Sequence, residues 1–110
     1  MGDAVTRLSV PAPIPYRVRS VAGQAARVLR RELGREARIL WFASWPRGDA
    51  RPHSDIALAV RSPALLDPSA LSGARERLEA LETLYSFRLL DMDQTGEERL
   101  AQIEREGVEL

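Results

Sequence analysis

The sequence contains no cysteine, and this absence removes several kinds of chemistry at once. Without cysteine the chain cannot form disulfides, thiolate zinc sites or a cysteine nucleophile. Its apolar runs extend over only a few residues, far short of the roughly 20 that span a membrane. Residues 1–10 also lack the basic and then apolar pattern of a signal peptide. We therefore expect a cytoplasmic protein.

The chain also lacks lysine, so that all 16 basic residues are arginine. Sixteen acidic residues balance them, and the formal net charge is zero. No overall positive field attracts nucleic acid, and no nucleic-acid partner is indicated. Arginine forks suit phosphates and carboxylates, but a bias that runs along the whole chain points to no single site.

The length of 110 residues fits one compact domain with a single core. Residues 1–19 carry prolines at alternate positions near their end, and these favour an extended N-terminal arm. Ser20 can cap a first helix, which Gly34 ends. The predicted organisation is therefore an arm at residues 1–19 and a domain at residues 20–110.

Three short segments have the composition of strands. Residues 37–44 and 55–60 are apolar runs that are short enough for buried strands. Residues 84–92 form a third strand, with Arg88 and Leu90 on the same face. Prolines and a glycine interrupt the segment between the first two strands, so it is either a loop or one short helical turn.

Two further helices follow from capping signals and apolar spacing. One starts at Ser69 or Ser72, and the last follows Thr95, which has capping-box spacing with Glu98; Gly107 ends it. The order α-β-β-α-β-α predicts an α/β (α+β) fold. We expect a small mixed β-sheet with helices packed on one face.

The loop after the first strand carries an ordered motif, since residues 43–58 read ASWPRGDARPHSDIAL. This segment resembles the signature of minimal nucleotidyltransferases of the DNA polymerase beta superfamily: Gly-Ser, a short spacer, Gly, a longer spacer and Ser-Asp-Ile-Asp-Leu. The residues in register are Ser44, Arg47, Gly48, Ala50, Ser54, Asp55, Ile56 and Leu58. The resemblance covers roughly residues 20–110 and implies the nucleotidyltransferase fold.

The resemblance implies transfer of a nucleotide from ATP, assisted by two Mg²⁺ ions. Ser44, Arg47, Gly48 and Ser54 are then the expected nucleotide- and phosphate-binding residues. A metal pair needs several oxygen ligands that converge on one spot. Two aspartates at i and i+2 on a strand point to the same face, and a third carboxylate on the neighbouring strand completes the site. Asp55 is the one expected carboxylate that remains.

The sequence departs from the signature at three positions. Ala43 replaces the close-approach glycine, Ala57 replaces the second aspartate, and Arg88 lies where the third carboxylate is expected. Because a metal ion lowers the barrier by several kcal/mol and each 1.36 kcal/mol is about tenfold in rate, losing two ligands costs orders of magnitude. We expect impaired catalysis, with at most a weak metal site at Asp55. Arg88 either replaces the missing cations and pairs with Asp55, or lies at the surface in water.

The same loop holds other candidates. Arg47 and Arg51 flank it and either hold an anion or are solvated. His53 is the single histidine, and without partners it is more typical of a loop residue than of a metal ligand or a base. Trp45 is expected either to pack at the rim of the core or to be exposed for a partner.

Three functions fit these residues. Members of the resembled family are often encoded with a small helical HEPN-domain protein, as antitoxin and toxin, so the resemblance implies a HEPN-domain partner and a homo- or hetero-oligomer. A member without catalysis would act on that partner by contact. The alternatives are an active Mg²⁺-dependent nucleotidyltransferase that modifies a protein or a small acceptor, and a nucleotide sensor without turnover.

Overall fold

The computed structural model describes residues 14–110, so that most of the predicted arm, residues 1–13, lies outside the described residues. The elements are, in chain order, α1 (Tyr16–Leu33), β1 (Arg38–Phe42), α2 (Ser44–Arg47), β2 (Ile56–Arg61), α3 (Pro68–Glu79), β3 (Phe87–Asp91), a 3-10 helix (Met92–Gln94), α4 (Glu97–Glu106) and β4 (Val108–Glu109). The three predicted strands are present. The segment after β1 takes the alternative of one short helical turn.

The four strands form one mixed sheet in the order β3-β2-β1-β4. β1 pairs antiparallel with β2 and β4, and β2 pairs parallel with β3. A parallel pair needs a crossover connection, which α3 supplies. Because side chains alternate along a strand, Ile56 and Leu58 lie on one face of β2 and Ala57 and Ala59 on the other. All four are buried, so both faces of the sheet need cover.

Two helices cover the first face. The buried residues of α1 recur at helical spacing along one side, and they are Val18, Ala22, Ala25, Ala26, Leu29 and Leu33. They join Leu71, Ala74 and Leu78 of α3 in the larger core cluster. No helix within residues 14–110 is both long and apolar enough to cross a membrane.

The second face is covered by α4 and the 3-10 helix. Ile103 and Met92 are buried there against the alanines of β2. The prediction of a mixed sheet with helices is confirmed, but these elements pack on both faces rather than on one. The reason is that Ala57 and Ala59 make the second face of β2 apolar, and an apolar face must be covered.

The first helix begins earlier than predicted. Tyr16 is its first residue, and Pro15 precedes it with φ −58° and ψ 144°. The N–H group of Arg19 donates to the carbonyl of Pro15 at 3.1 Å. Ser20 therefore lies inside the helix, because a proline just before the first turn fixes a compatible φ and loses no helical hydrogen bond.

The other two helix starts also differ from the capping signals. Asp67 caps α3, and its carboxylate accepts the N–H of Ser69 at 2.8 Å. Gly96 is the N-cap of α4 and makes no side-chain cap. The predicted capping box is wrong because the hydroxyl of Thr95 donates instead to the carbonyl of Asp91 at 2.7 Å.

The C-terminal residues are tied to the rest of the domain. Gly107 ends α4 as predicted, and a Cβ at this position would lie 2.6 Å from the carbonyl oxygen of Ile103. Arg38 of β1 pairs with Glu109 and with Glu104, the latter at 2.8 Å. These two hydrogen bonds, with Glu109 the larger contributor, raise the pKa of Arg38. Since all three side chains are exposed, the pairs contribute little to stability.

Candidate functional site

The loop after β1 begins with an unusual backbone conformation at Ala43. Its φ is 70° and its ψ is −142°, and no other non-glycine residue within 14–110 has a positive φ. This part of φ/ψ space is almost reserved for glycine. The resembled signature has glycine at the position of Ala43. The backbone here has the conformation that a glycine would adopt easily, although the residue is an alanine.

The residues after Ala43 make one tight helical turn. The carbonyl of Ser44 accepts the N–H groups of Gly48 and Asp49, both at 3.1 Å. Gly48 ends the turn in the left-handed region with φ 87°. The predicted phosphate-binding residues Ser44, Arg47 and Gly48 therefore lie on a single compact turn at the end of β1.

Ser54 is engaged inside the loop that leads to β2. Its hydroxyl accepts the N–H of Arg51 at 2.8 Å, and its carbonyl accepts the indole N–H of Trp45 at 3.0 Å. Asp55 follows, exposed, just before the first residue of β2. It lies two residues before Ala57 in the sequence.

Ala57 and Arg88 lie side by side on β2 and β3. The strand register pairs them directly, and paired residues of neighbouring strands point to the same face. Ala57 is 1% exposed and packs in the apolar cluster that contains Phe42 and Ile103. Arg88 is exposed. This register agrees with the predicted position of Arg88 on the strand next to Ala57.

A cavity of about 510 Å³ opens over this part of the second face. Its lining, which we call the arginine pocket, is Phe42, Ala43, Arg47, Arg88, Glu98, Arg99, Gln102, Ile103 and Glu106. Three guanidinium groups and two carboxylates thus meet at its surface. Of the predicted phosphate-binding residues, only Arg47 is in this lining; Ser44, Gly48 and Ser54 are not, and neither is Asp55.

The arginines of the pocket differ in their partners. Arg47 forms a salt bridge with Asp49 at 3.3 Å, and both side chains are exposed. Within residues 14–110, neither Arg88 nor Arg99 has a carboxylate oxygen within 4.0 Å. The predicted pairing of Arg88 with Asp55 is therefore not formed in this structure. Two guanidinium groups at the pocket are left with donors for an anion.

The donor set does not fit a pair of magnesium ions. Nowhere in residues 14–110 do three or more His, Asp or Glu side chains gather to hold a metal. Of the other two expected ligand positions, one holds the methyl group of Ala57 and the one paired with it on β3 holds the cation of Arg88. Mg²⁺ demands oxygen ligands in near-octahedral geometry, and neither replacement supplies one.

Sequence reasoning missed the contribution of α4 to the pocket. Glu98, Arg99, Gln102 and Glu106 recur at spacings of three and four, which places them along one side of a helix. That spacing is visible in the sequence. The face of the sheet that α4 crosses is not, because it depends on how α4 follows β3.

Trp45 does not lie where a partner could reach most of its ring. It is 8% exposed, and the edge of the ring contacts Tyr85 with centroids 6.1 Å apart at 82°. Of the two alternatives for Trp45, the structure has packing at the core rather than exposure, because α2 turns the indole inward, where its N–H donates to the carbonyl of Ser54. His53 is exposed and is not in the lining of the arginine pocket.

The chain was compared with known proteins. No protein-family model matches it, and no curated protein does. A chain from the crystal structure of a toxin-antitoxin with AMP-PNP matches with TM-score 0.63 and 24% identity, over 78% of this chain and 69% of that one. A chain from a mutant of the toxin-antitoxin MntA-HpeT matches with TM-score 0.59 and 21% identity, over 77% of this chain and 70% of that one.

This chain shares their fold. The nucleotidyltransferase fold expected from the motif at residues 43–58 is confirmed by this likeness. At these identities the likeness establishes the fold, while the roles of Ser44, Arg47, Gly48, Ser54 and Asp55 stay predictions.

Proposed function

We propose that this chain is a nucleotidyltransferase-fold protein that acts by binding a protein partner rather than by nucleotide transfer. The proposed partner is a HEPN-domain protein, toward which the chain serves as an antitoxin by contact in the cytoplasm. Two observations support a protein partner. The resemblance at residues 43–58 implies one, and both similar structures are of toxin-antitoxin assemblies.

The observation that carries the non-catalytic part of the proposal is the environment of Ala57. An aspartate is needed there to share metal ions with Asp55, but the alanine is 1% exposed and packed against Phe42 and Ile103. The adjacent position on β3 holds the cation of Arg88. Without a ligand set for metal, the fold retains its surface for partners and loses the group that stabilises a transferring phosphate.

The test is a titration of the protein encoded by the neighbouring reading frame, which the proposal requires to be a HEPN-domain protein, followed by incubation with Mg²⁺ and ATP labelled on its α-phosphate. We expect a complex by calorimetry and no label on either protein. Label on the partner would establish the alternative of an active nucleotidyltransferase. No heat of binding and no co-elution would contradict the proposed partnership.

A second function, a nucleotide sensor without turnover, is favoured by the arginine pocket. Arg47, Arg88 and Arg99 present positive charge at a cavity of about 510 Å³, within the range of small-molecule sites. Guanidinium forks bind phosphate without a metal. The structure with AMP-PNP among the similar chains is consistent with retained nucleotide binding.

Thermal shift with ATP, with and without Mg²⁺, tests the sensor. Bound ligand stabilises by mass action, by about 2.7 kcal/mol at a hundred times its Kd. We expect a shift that does not need Mg²⁺ and that Arg99→Ala abolishes. Arg105→Ala is the matched control, because Arg105 is exposed on the same helix and is not in the pocket lining. A shift that appears only with Mg²⁺ would contradict metal-free binding.

A further inference from the structure

A second cavity lies on the side of the sheet that α1 covers, away from the arginine pocket. Its volume is about 740 Å³, and we call it the aromatic groove. It forms where the start of α1, the loop before β2 and the loop before β3 meet. Five of its lining residues matter most for binding, and they are Arg17, Trp45, Arg51, Leu84 and Tyr85.

The apolar part of the aromatic groove ends at a projecting leucine. Leu84 is 88% exposed, beside the partly buried ring of Tyr85. The hydroxyl of Thr83 accepts the N–H of Tyr85 at 3.2 Å, which holds this turn in place. A single exposed leucine needs no explanation. A leucine at the rim of a groove floored by Trp45 and Tyr85 is a site where a bulky apolar side chain can be enclosed.

The opposite wall of the groove is also fixed before any ligand arrives. Arg51 and Ser54 exchange two hydrogen bonds, of 2.8 and 3.0 Å, that close the loop between them. The indole N–H of Trp45 donates to the carbonyl of Ser54 and ties this loop to the core. A preformed wall lowers the entropy lost on binding.

The charges around the groove have one sign. Arg17 and Arg51 are exposed in its lining, and none of the acidic residues within 14–110 belongs to that lining. Within residues 14–110, neither arginine has a carboxylate partner within 4.0 Å. Both guanidinium groups are therefore able to pair with carboxylates of a ligand.

We propose that the aromatic groove binds a peptide segment of the protein partner in which a bulky apolar side chain is flanked by Asp or Glu. The inference rests on the proposed function, since it specifies the chemistry of that partner. The apolar residue contacts Leu84 and Tyr85, and the acidic residues pair with Arg17 and Arg51. Single-stranded nucleic acid fits less well, because Trp45 is 8% exposed and offers no open face for a base to stack on.

The test uses a random-peptide phage library, selected against the full chain. We expect the selected peptides to be enriched in Asp and Glu beside Leu, Phe or Trp. Synthetic copies should lose at least about tenfold in affinity for Leu84→Ser and for the double variant Arg17→Glu with Arg51→Glu. Exchanging their acidic residues for lysine should lower the affinity by a similar factor.

Two variants outside the groove serve as controls. Leu65 is 82% exposed in a different loop, and Arg27 is exposed on α1 but not in the groove lining. Leu65→Ser and Arg27→Glu should bind the peptides as the parent does. The proposal would be overturned if the selected peptides are basic or still bind the Leu84→Ser variant. It would also be overturned if no peptide is enriched above a blank support. If the chain binds a HEPN-domain protein and the groove variants bind it equally well, the groove proposal is refuted but the proposed partner is not. If the peptides bind through the groove but no HEPN-domain protein binds the chain, the proposed partner is refuted.

Discussion

At the scale of single residues, paired positions on β2 and β3 beside the end of β1 hold a methyl group and a guanidinium, of Ala57 and Arg88, where the resembled signature has metal ligands. Arg88 carries a permanent charge and up to five donors, so it can hold a phosphate or a carboxylate in place. It cannot coordinate a phosphate oxygen together with an attacking group, as a metal pair does. The site beside Ala57 can therefore bind an anion without supporting nucleotide transfer.

Restoring the carboxylates tests this assignment. We expect the double variant Ala57→Asp with Arg88→Asp to bind Mg²⁺ in the presence of ATP, because Asp55 then gains two oxygen donors from neighbouring positions. The measurement is calorimetric titration of Mg²⁺ into protein and ATP, from which the heat of Mg²⁺ binding to ATP alone is subtracted. Ala57→Asp alone is the control and should not bind the metal, since the new carboxylate lies beside Arg88. A flat titration for the double variant would show that Arg88 is not at the third position.

Ala43 makes a second prediction at this scale. Its φ of 70° costs an alanine on the order of 1–3 kcal/mol but costs glycine little. Ala43→Gly should therefore raise the free energy of unfolding by about 1 kcal/mol, as measured by urea denaturation, after the entropy of glycine is subtracted. Ala64→Gly, in an exposed bend without positive φ, should lower it slightly. Loss of stability in Ala43→Gly would contradict the strain.

The residues of the motif were predictable to different degrees. Ala43 and Ala57 could be placed from the sequence because spacing along a loop and a strand is local information. The position of Arg88 beside Ala57 depended on a parallel pairing that the strand order made plausible. Arg99 could not be placed, because the path of α4 across the second face is set by long-range packing.

At the scale of elements, the two tryptophans near β1 differ in one hydrogen bond. The indole N–H of Trp45 donates to Ser54, which links α2 to the loop before β2. The indole N–H of Trp41 is buried without a hydrogen-bond partner in the described part of the chain. Trp45→Phe should therefore destabilise by about 1–3 kcal/mol more than Trp41→Phe, since it leaves a carbonyl unpaired whereas the other change removes an unpaired donor. Equal unfolding free energies by urea denaturation would count against the role of this hydrogen bond.

Asp67 at the start of α3 makes an element-scale prediction about pH. Its hydrogen bonds with Ser69, first to the backbone N–H and then to the hydroxyl, lower its pKa below the ordinary value of 3.8. A lowered pKa in the folded state means stability that is present above pH 3.8 and is lost as the pH falls through the folded value. The Tm of the parent should be higher than that of Asp67→Ala at neutral pH, and this difference in Tm should become smaller toward about pH 3.

The variant Asp67→Asn provides the control for that pH dependence. Asparagine retains the acceptor for the N–H of Ser69 but does not titrate. Its Tm difference from Asp67→Ala should therefore stay constant across the same pH range. If the Tm of the parent and that of Asp67→Ala change with pH in the same way, the cap contributes no charge-dependent stability.

The ends of elements were harder to predict than the elements themselves. The apolar spacing of α1 and the short runs of β1 and β2 are strong periodic signals. Each helix start instead depended on which of several nearby groups captured a hydrogen bond. Thr95 bonded backward to Asp91 and left the N-cap to Gly96, a choice between local alternatives of similar free energy.

At the scale of the whole molecule, two cavities lie on opposite faces of one sheet. The arginine pocket adjoins the cluster that contains Ile103, and the aromatic groove adjoins the cluster that contains Trp45. A partner seated in the groove would leave the pocket open to a nucleotide. The formal net charge of zero means that neither ligand is gathered by the field of the whole chain, so recognition depends on these local arginines.

We propose above that this chain acts by contact with a partner and not by nucleotide transfer. Native mass spectrometry of the chain with the proposed HEPN-domain partner, ATP and Mg²⁺ tests binding and nucleotide transfer in one spectrum. We expect a non-covalent complex whose two components, on dissociation, have the masses of their unmodified sequences. A partner whose mass has increased by one or more nucleotide units, or a spectrum with no complex, would contradict it.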